Sequence, residues 1–351
     1  MAPWLPPWVD ALVGDDELAE AFSAEADLEA MLRVESALAR VQATLGLVPA
    51  PAAARIAEAC RTFAPDRARL VEATLVDGVV VPELVRQLRA AVGGEAAGHV
   101  HRGATSQDIV DTGLALRLGP VLTVLERRLD GVVDALDALD ARFGANPLTG
   151  RTRMQAALPI RAGDRLAAWR EPLVRLRDAI PALRPDLLRV QLGGPVGTRD
   201  GAGGDAVADA LADALGLYRA GRAWHADRHG VVALADTLSH VTGALGKLGQ
   251  DVALMAQNGI DAVSLSGTGG SSAMAHKRNP VKAELLVTLA RYNAVQLSAM
   301  HQALVHEQER SGAAWTLEWL VLPSMVRAAG ASSALAGALL GSVERLGDAG
   351  A

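Results

Sequence analysis

Three segments hold residue types that bind anions and move protons. The first is His101-Arg-Gly-Ala-Thr105-Ser106-Gln107-Asp108. Thr105 and Ser106 stand where a long apolar-periodic run begins, which marks a helix start. The free N–H groups and positive end of such a start attract anions, and two hydroxyls add donors. Read alone, the same residues also make an ordinary N-cap with a first-turn aspartate. The second segment is Gly150-Arg151-Thr152-Arg153-Met154-Gln155-Ala156. Two arginines and a glutamine beside a helix start can hold a carboxylate bidentately, although surface arginines are the plainer account. The third is Gly269-Gly-Ser271-Ser272-Ala-Met274-Ala275-His276-Lys277-Arg278-Asn279-Pro280. Its glycines permit motion, its serines offer a hydroxyl that can be activated, and Lys277 and Asn279 can steady an oxyanion. Only Lys247, Lys277 and Lys282 are lysines, against 31 arginines. A lysine here points to a need for a compact charge.

Helical periodicity must position these segments. Ser23 reads as an N-cap, followed by apolar residues from Leu28 to Leu45 and a stop at Gly46. Pro82 suits a first helical turn. The spacing predicts an N-terminal helical domain over 1–100 and a long-helix domain over 101–351. Residues 105–143 show no turn signal except Pro120, so one helix of about 60 Å is expected, kinked at the proline. Further long runs cover 159–190, 227–258, 280–307 and 313–346. Pro172, Pro181 and Pro185 should break or bend the first of these. No strand alternation longer than Val79-Val80-Val81 is seen. Loops fall at 93–103, 146–156, 193–204 and 259–279, and the last is long enough to be functional. An all-α bundle follows.

Composition bounds the function. Half of the 351 residues are hydrophobic, and only three Phe, two Tyr and six Trp are aromatic, a core suited to close helix packing. The formal charge is −6, from 40 acidic and 34 basic residues, and no basic stripe invites nucleic acid. The one cysteine, Cys60, excludes an intramolecular disulfide or a cysteine-rich zinc site and reads as a small core residue. His225 and His229, four apart, could face a metal but lack a third ligand. No signal peptide is evident at the start. The most lipid-like run, 328–343, is 16 residues long, too short for a span. A cytoplasmic protein with no membrane partner is expected.

The three segments, in this order and on long helices, resemble the fumarase/aspartase superfamily. The third resembles that superfamily's signature loop, Gly-Ser-Ser-x-Met-Pro-x-Lys-x-Asn-Pro. His-x-Gly-Ala-Thr-Ser-Gln-Asp is closer to its carboxymuconate cycloisomerase branch than to adenylosuccinate lyases. Glu307-Gln-Glu-Arg310-Ser-Gly-Ala-Ala-Trp315 and Gly246-Lys-Leu-Gly-Gln250-Asp251 point the same way. The resemblance implies a fumarase/aspartase-like all-α fold, with the C-terminal helical domain of relatives missing or reduced. It implies a homotetramer whose active sites draw on three subunits, a small tricarboxylate substrate, and no metal or organic cofactor. It implies cyclisation of a carboxymuconate to a lactone in aromatic-acid breakdown. By the same resemblance Ser271 transfers the proton, and Lys277 and Asn279 hold the enediolate formed next to a carboxylate. His101 matches a histidine near the site and joins these as a catalytic candidate. Thr105, Ser106 and Gln155 match carboxylate-binding positions, with Arg153, Ser272 and Met274 beside them and Glu284 and Arg310 in support.

Two departures matter. Ala275 replaces the usual proline of the loop, which should loosen its backbone. Arg153 stands where lyases of the superfamily often carry a histidine, paired with a glutamate matching Glu284. Arginine cannot donate a proton near neutral pH. Elimination of an amine or hydroxide needs acid help, whereas the carboxylate leaving group of a lactone, with a pKa near 4, does not. Arg153 therefore favours a cycloisomerase, and an Arg153–Glu284 ion pair is expected. An adenylosuccinate-type lyase, a non-enzymatic scaffold and a cycloisomerase for a substituted, for example sulfonated, muconate are the alternatives. Arg228 and Arg310 could bind a carboxylate of a triacid or simply cover a helix face. His276 could touch substrate or solvent.

Overall fold

A computed structural model of the chain describes residues 6–200, 203–270, 273–274 and 277–348. Six helices come first: α1 (Pro7–Val13), α2 (Asp16–Glu20), α3 (Ala24–Thr44), α4 (Ala50–Thr62), α5 (Arg67–Asp77) and α6 (Val81–Val92). Then follow α7 (Ser106–Phe143), the strands β1 (Pro147–Thr152) and β2 (Gln155–Arg161), α8 (Ala162–Leu187) and α9 (Gly204–Leu215). The chain continues through α10 (His229–Met255), β3 (Val263–Leu265), α11 (Val281–Gln302), α12 (Gly312–Leu340) and β4 (Val343–Leu346). Ser23 caps α3 by accepting the Ala26 N–H at 3.1 Å, and Gly46 takes a left-handed φ of 73° just after it. Pro82 lies in the first turn of α6. Among the described residues, no helix is long and apolar enough to cross a membrane.

Two cores organise these helices. The larger runs along α7, α8, α10, α11 and α12. On α7 it takes Leu118, Leu122, Leu125, Leu129, Val132, Leu136 and Leu139, three and four apart, so one face of a 38-residue helix is buried throughout. The smaller joins Met31 and Leu38 of α3, Ile56 of α4, and Leu84 and Leu88 of α6. Ile109 at the start of α7 and Val207 and Leu211 of α9 enter it too. The first turns of α7 therefore lie where both cores meet.

The structure corrects the sequence reading in three places. Residues 147–161 are not a loop beside a helix start but an antiparallel hairpin, with Leu148 paired to Ile160 and Thr152 to Gln155. From 151 to 159 every residue is exposed, so no face alternates and periodicity gives no strand signal. Secondly, of the break or bend expected at Pro172, Pro181 and Pro185, the break does not occur, since α8 is continuous through all three. Leu166, Trp169, Leu173, Ile180 and Leu187 bury one stripe of it, and that burial outweighs the lost backbone bonds, about 3 kcal/mol per internal proline. Thirdly, the last predicted helix ends at Leu340, and β4 pairs with β3, Val263 opposite Leu346.

The packing of α10 on α11 depends on two glycines one turn apart. A Cβ at Gly246 would lie 2.4 Å from the Ala290 Cβ, and one at Gly249 would lie 2.5 Å from the Ala283 carbonyl oxygen. Gly243 of the same helix faces open space. Helix propensity alone favours alanine over glycine by about 1 kcal/mol, so the two sites should respond with opposite sign. Gly243→Ala should raise stability by about 0.5–1 kcal/mol, and Gly246→Ala should lower it by about 1–3 kcal/mol through overpacking. Urea denaturation of both variants checks this.

Candidate active site

The N-terminus of α7 is held by one carboxylate. Asp108 accepts the Thr105 N–H at 2.9 Å and so closes the first turn. It also accepts the Gly193 and Gly194 N–H groups, each at 2.9 Å, and lies 2.7 Å from His225 Nε2. Both oxygens are thus engaged in a residue that is 1% exposed, as a buried carboxylate requires. The residue read as a first-turn aspartate also holds the Gly193 and Gly194 backbone beside Thr105. His225 belongs to this set, while His229 is exposed. Among the described residues, no group of three metal-ligating side chains occurs.

One turn along, Arg228 is fully buried between two carboxylates. Its guanidinium donates to Asp111 at 2.7 and 3.1 Å and to Glu318 at 2.8 and 2.6 Å. It lies over the Trp224 ring, 5.0 Å from the centroid, a cation–π contact. Trp315 Nε1 donates to Asp111 at 3.1 Å and Gln107 Nε2 donates to it at 3.0 Å. Burial opposes charge on both Arg228 and Glu318. Their attraction prevails, so the Arg228 value is raised and the Glu318 carboxyl is held below its usual range, helped by His306. Arg228 is therefore no substrate ligand, because the protein's own acids occupy it. The cluster locks α7, the start of α10 and α12 together.

That lock brings Arg310, which precedes α12, to the end of α7. Arg310 Nη1 donates to Thr105 Oγ1 at 2.6 Å, and Nη2 donates to the Pro195 carbonyl. Among the described residues no protein partner occupies the Ser106 hydroxyl. Thr105, Ser106 and Arg310 thus converge on the positive end of a long helix, an arrangement that receives a carboxylate. His101 lies four residues upstream, with Nδ1 2.6 Å from Glu35 Oε1 of α3. Burial pushes the His101 value down, but the charge and hydrogen bond of Glu35 push it up further, and the result is raised. Burial first, then Glu35, pushes the Cys60 thiol up to about 12, so it is no nucleophile.

Among the described residues, Arg153, Gln155, Lys277 and Asn279 make no side-chain hydrogen bond or ion pair with this end of α7. Arg153 and Met154, with left-handed φ of 48° and 67°, form the tip of the β1–β2 hairpin, and Gln155 follows them. The third segment is pinned at its neck by reciprocal Gly269 and Asn279 backbone bonds of 3.0 and 2.8 Å. Asn279 Nδ2 donates to the Gly270 carbonyl at 3.2 Å. Lys277 and Met274 are exposed, and Ser271, Ser272, Ala275 and His276 lie outside the described residues. Glu284 is exposed in the first turn of α11, and the expected Arg153–Glu284 ion pair does not form within the chain. Glu35 was missed in the sequence. Its signal was a charge between Val34 and Leu38 on the buried stripe of α3, a placement that needs a partner.

The sequence model of the Lyase family matches residues 12–294. The chain belongs to this lyase family. Within it, a 3-carboxy-cis,cis-muconate cycloisomerase of Pseudomonas aeruginosa is 41% identical over 312 residues, 87% of this chain and 68% of that one. A nitrosuccinate lyase of Streptomyces davaonensis is 37% identical over 91% of this chain and 71% of its own. The crystal structure of the 3-carboxy-cis,cis-muconate lactonizing enzyme from Pseudomonas putida superposes with a TM-score of 0.91 at 36% identity, covering 97% of this chain and 78% of that one. The fold is therefore the fumarase/aspartase-like helical fold expected from the sequence.

Two measurements test the electrostatics of this lyase-family site. Arg228→Met leaves two buried carboxylates without their cation and should cost about 3–5 kcal/mol, read from urea denaturation at neutral pH. The His101 value is raised on folding. Its pairing with Glu35 therefore stabilises fully below the unfolded value of about 6.5, and this contribution fades as pH rises through the folded value. Stability should fall with pH above about 6.5 more steeply in the wild type than in His101→Gln.

Proposed function

We propose that the chain is a 3-carboxy-cis,cis-muconate cycloisomerase, forming 4-carboxymuconolactone in the protocatechuate branch of the β-ketoadipate pathway. The observation that carries this reading is the meeting of Arg310 and Thr105 at the α7 end, in a chain 41% identical to such a cycloisomerase. One substrate carboxylate oxygen forms a C–O bond to an alkene carbon. The alkene electrons move to the carbon beside another carboxylate, and that carbon takes up a proton. Substrate and product are isomers, so no oxidant or reductant enters, and the reading includes no metal or organic cofactor.

In this reading Ser271 carries the proton, with Ser272 and Met274 beside it. Lys277 and Asn279 neutralise the enediolate that develops as the C–O bond forms or breaks. Thr105, Ser106, Arg310 and His101 receive a second carboxylate, and Gln155 and Arg153 hold the third. An arginine supplies no proton to a leaving group, so Arg153 suits a carboxylate leaving group in the reverse direction. Among the described residues, Arg153 and Gln155 of the hairpin and Lys277 of the third segment are exposed. We read the complete site as shared among three subunits of a cytoplasmic homotetramer, with Glu284 of one protomer facing Arg153 of another.

The test is turnover of 3-carboxy-cis,cis-muconate by the purified chain, followed by loss of diene absorbance. Sulfonated muconate, adenylosuccinate and nitrosuccinate run alongside. Carboxymuconate should be the best substrate, and Ser271→Ala should lose about 100-fold or more in kcat while keeping the wild-type mass in light scattering. Near-normal turnover of Ser271→Ala rules out the proton role. Preference for adenylosuccinate or nitrosuccinate overturns the reaction.

A further inference from the structure

The buried glutamate of α3 is not explained by packing. Glu35 is 1% exposed, and its Oε2 has no hydrogen-bond partner among the described residues. Its hydrogen bonding goes to His101 Nδ1 alone, at 2.6 Å. A buried carboxylate with a single partner calls for that partner to be cationic. His101 meets this need at the expense of its own backbone, which sits at a left-handed φ of 62° in a non-glycine residue.

We propose that Glu35 is a positioning residue for the reaction: it fixes the His101 ring through Nδ1 and reserves the Nε2–H for a carboxylate of the substrate. The inference rests on reading the Thr105 end of α7 as a carboxylate site. With Nδ1 taken, Nε2 is the one donor the ring has left. His101 opens the motif whose Thr105 meets Arg310, and its side chain is 15% exposed, enough for one ring edge to reach a ligand. The charged groups that act on it are Glu35 from α3, Asp108 from α7 and Arg89 from α6. The two acids favour the imidazolium and the arginine opposes it. A tricarboxylate would thus meet a second cation beside Arg310, supplied by the N-terminal helices rather than by the long bundle.

The test is Glu35→Gln, which keeps the shape and removes the charge. Two readouts are followed in the full-length protein. The first needs no substrate: a carbon-13 NMR titration of labelled histidines, with the His101 signal assigned by its loss in His101→Gln. The His101 midpoint should fall by about one pH unit or more in Glu35→Gln. The second is the pH profile of carboxymuconate turnover. In Glu35→Gln the basic limb of kcat/KM should move down in pH by the same amount. KM at pH 7.5 should rise roughly tenfold with kcat changed less than about threefold. Glu35→Asp, which restores the charge, should recover most of both. If Glu35→Gln does not fold, His101→Gln alone serves, and it should raise KM and flatten the basic limb. An unchanged His101 midpoint in Glu35→Gln, or a wild-type KM and pH profile in His101→Gln, overturns the proposal. A shifted midpoint with no turnover of carboxymuconate upholds the Glu35–His101 pairing and refutes the substrate reading instead.

Discussion

A guanidinium with no access to water must be neutralised where it lies, and Arg228 is neutralised by Asp111 on one side and Glu318 on the other. Such a triad gives little net stability over an apolar core, but it is unforgiving of misplacement. A slip of α12 against α7 by one turn would strand three charges in the bundle. Ionic pairing therefore fixes how α7, α10 and α12 sit, which leucine and alanine packing alone leaves more permissive. The position of Arg310 follows from that constraint. It lies two residues before α12, so fixing α12 fixes its reach to Thr105.

The start of α7 is determined several times over. Asp108 holds its first turn and two glycine N–H groups at once, Arg310 grips its cap, and Ile109 anchors it in the smaller core. Donors held this way need little reorganisation when an anion arrives. The hairpin tip and the signature loop are built differently. The hairpin tip, residues 151–159, is exposed, and the loop is paired at its neck through the Gly269 and Asn279 backbones.

Legibility in the sequence followed the physics of each element. The long helices, the Ser23 cap and the turn at Pro82 showed themselves because helix burial repeats every three to four residues and caps have few chemical solutions. The hairpin escaped because both its faces meet solvent. The prolines of α8 left a break open that does not occur, because their local penalty says nothing about the stripe buried opposite them. Asp108 was legible as a first-turn aspartate, but its hold on Gly193 and Gly194 joins residues some 85 positions apart, and no local pattern encodes that. Arg310 and Thr105 are separated by 205 positions, and only family resemblance placed them in one site. Arg228 looked like one more surface arginine in an arginine-rich chain, and only burial distinguishes it.

The state of Cys60 has a practical side. The chain's only thiol sits near a buried carboxylate and stays protonated far above neutral pH. Thiol reagents act on the thiolate, so burial and the Glu35 charge disfavour reaction of Cys60 with maleimides and haloacetamides. A cysteine placed on the hairpin tip or on an exposed turn would be the single reactive handle in the molecule. Fluorophores or spin labels could then be attached at one chosen point without first rebuilding the core to remove a native cysteine.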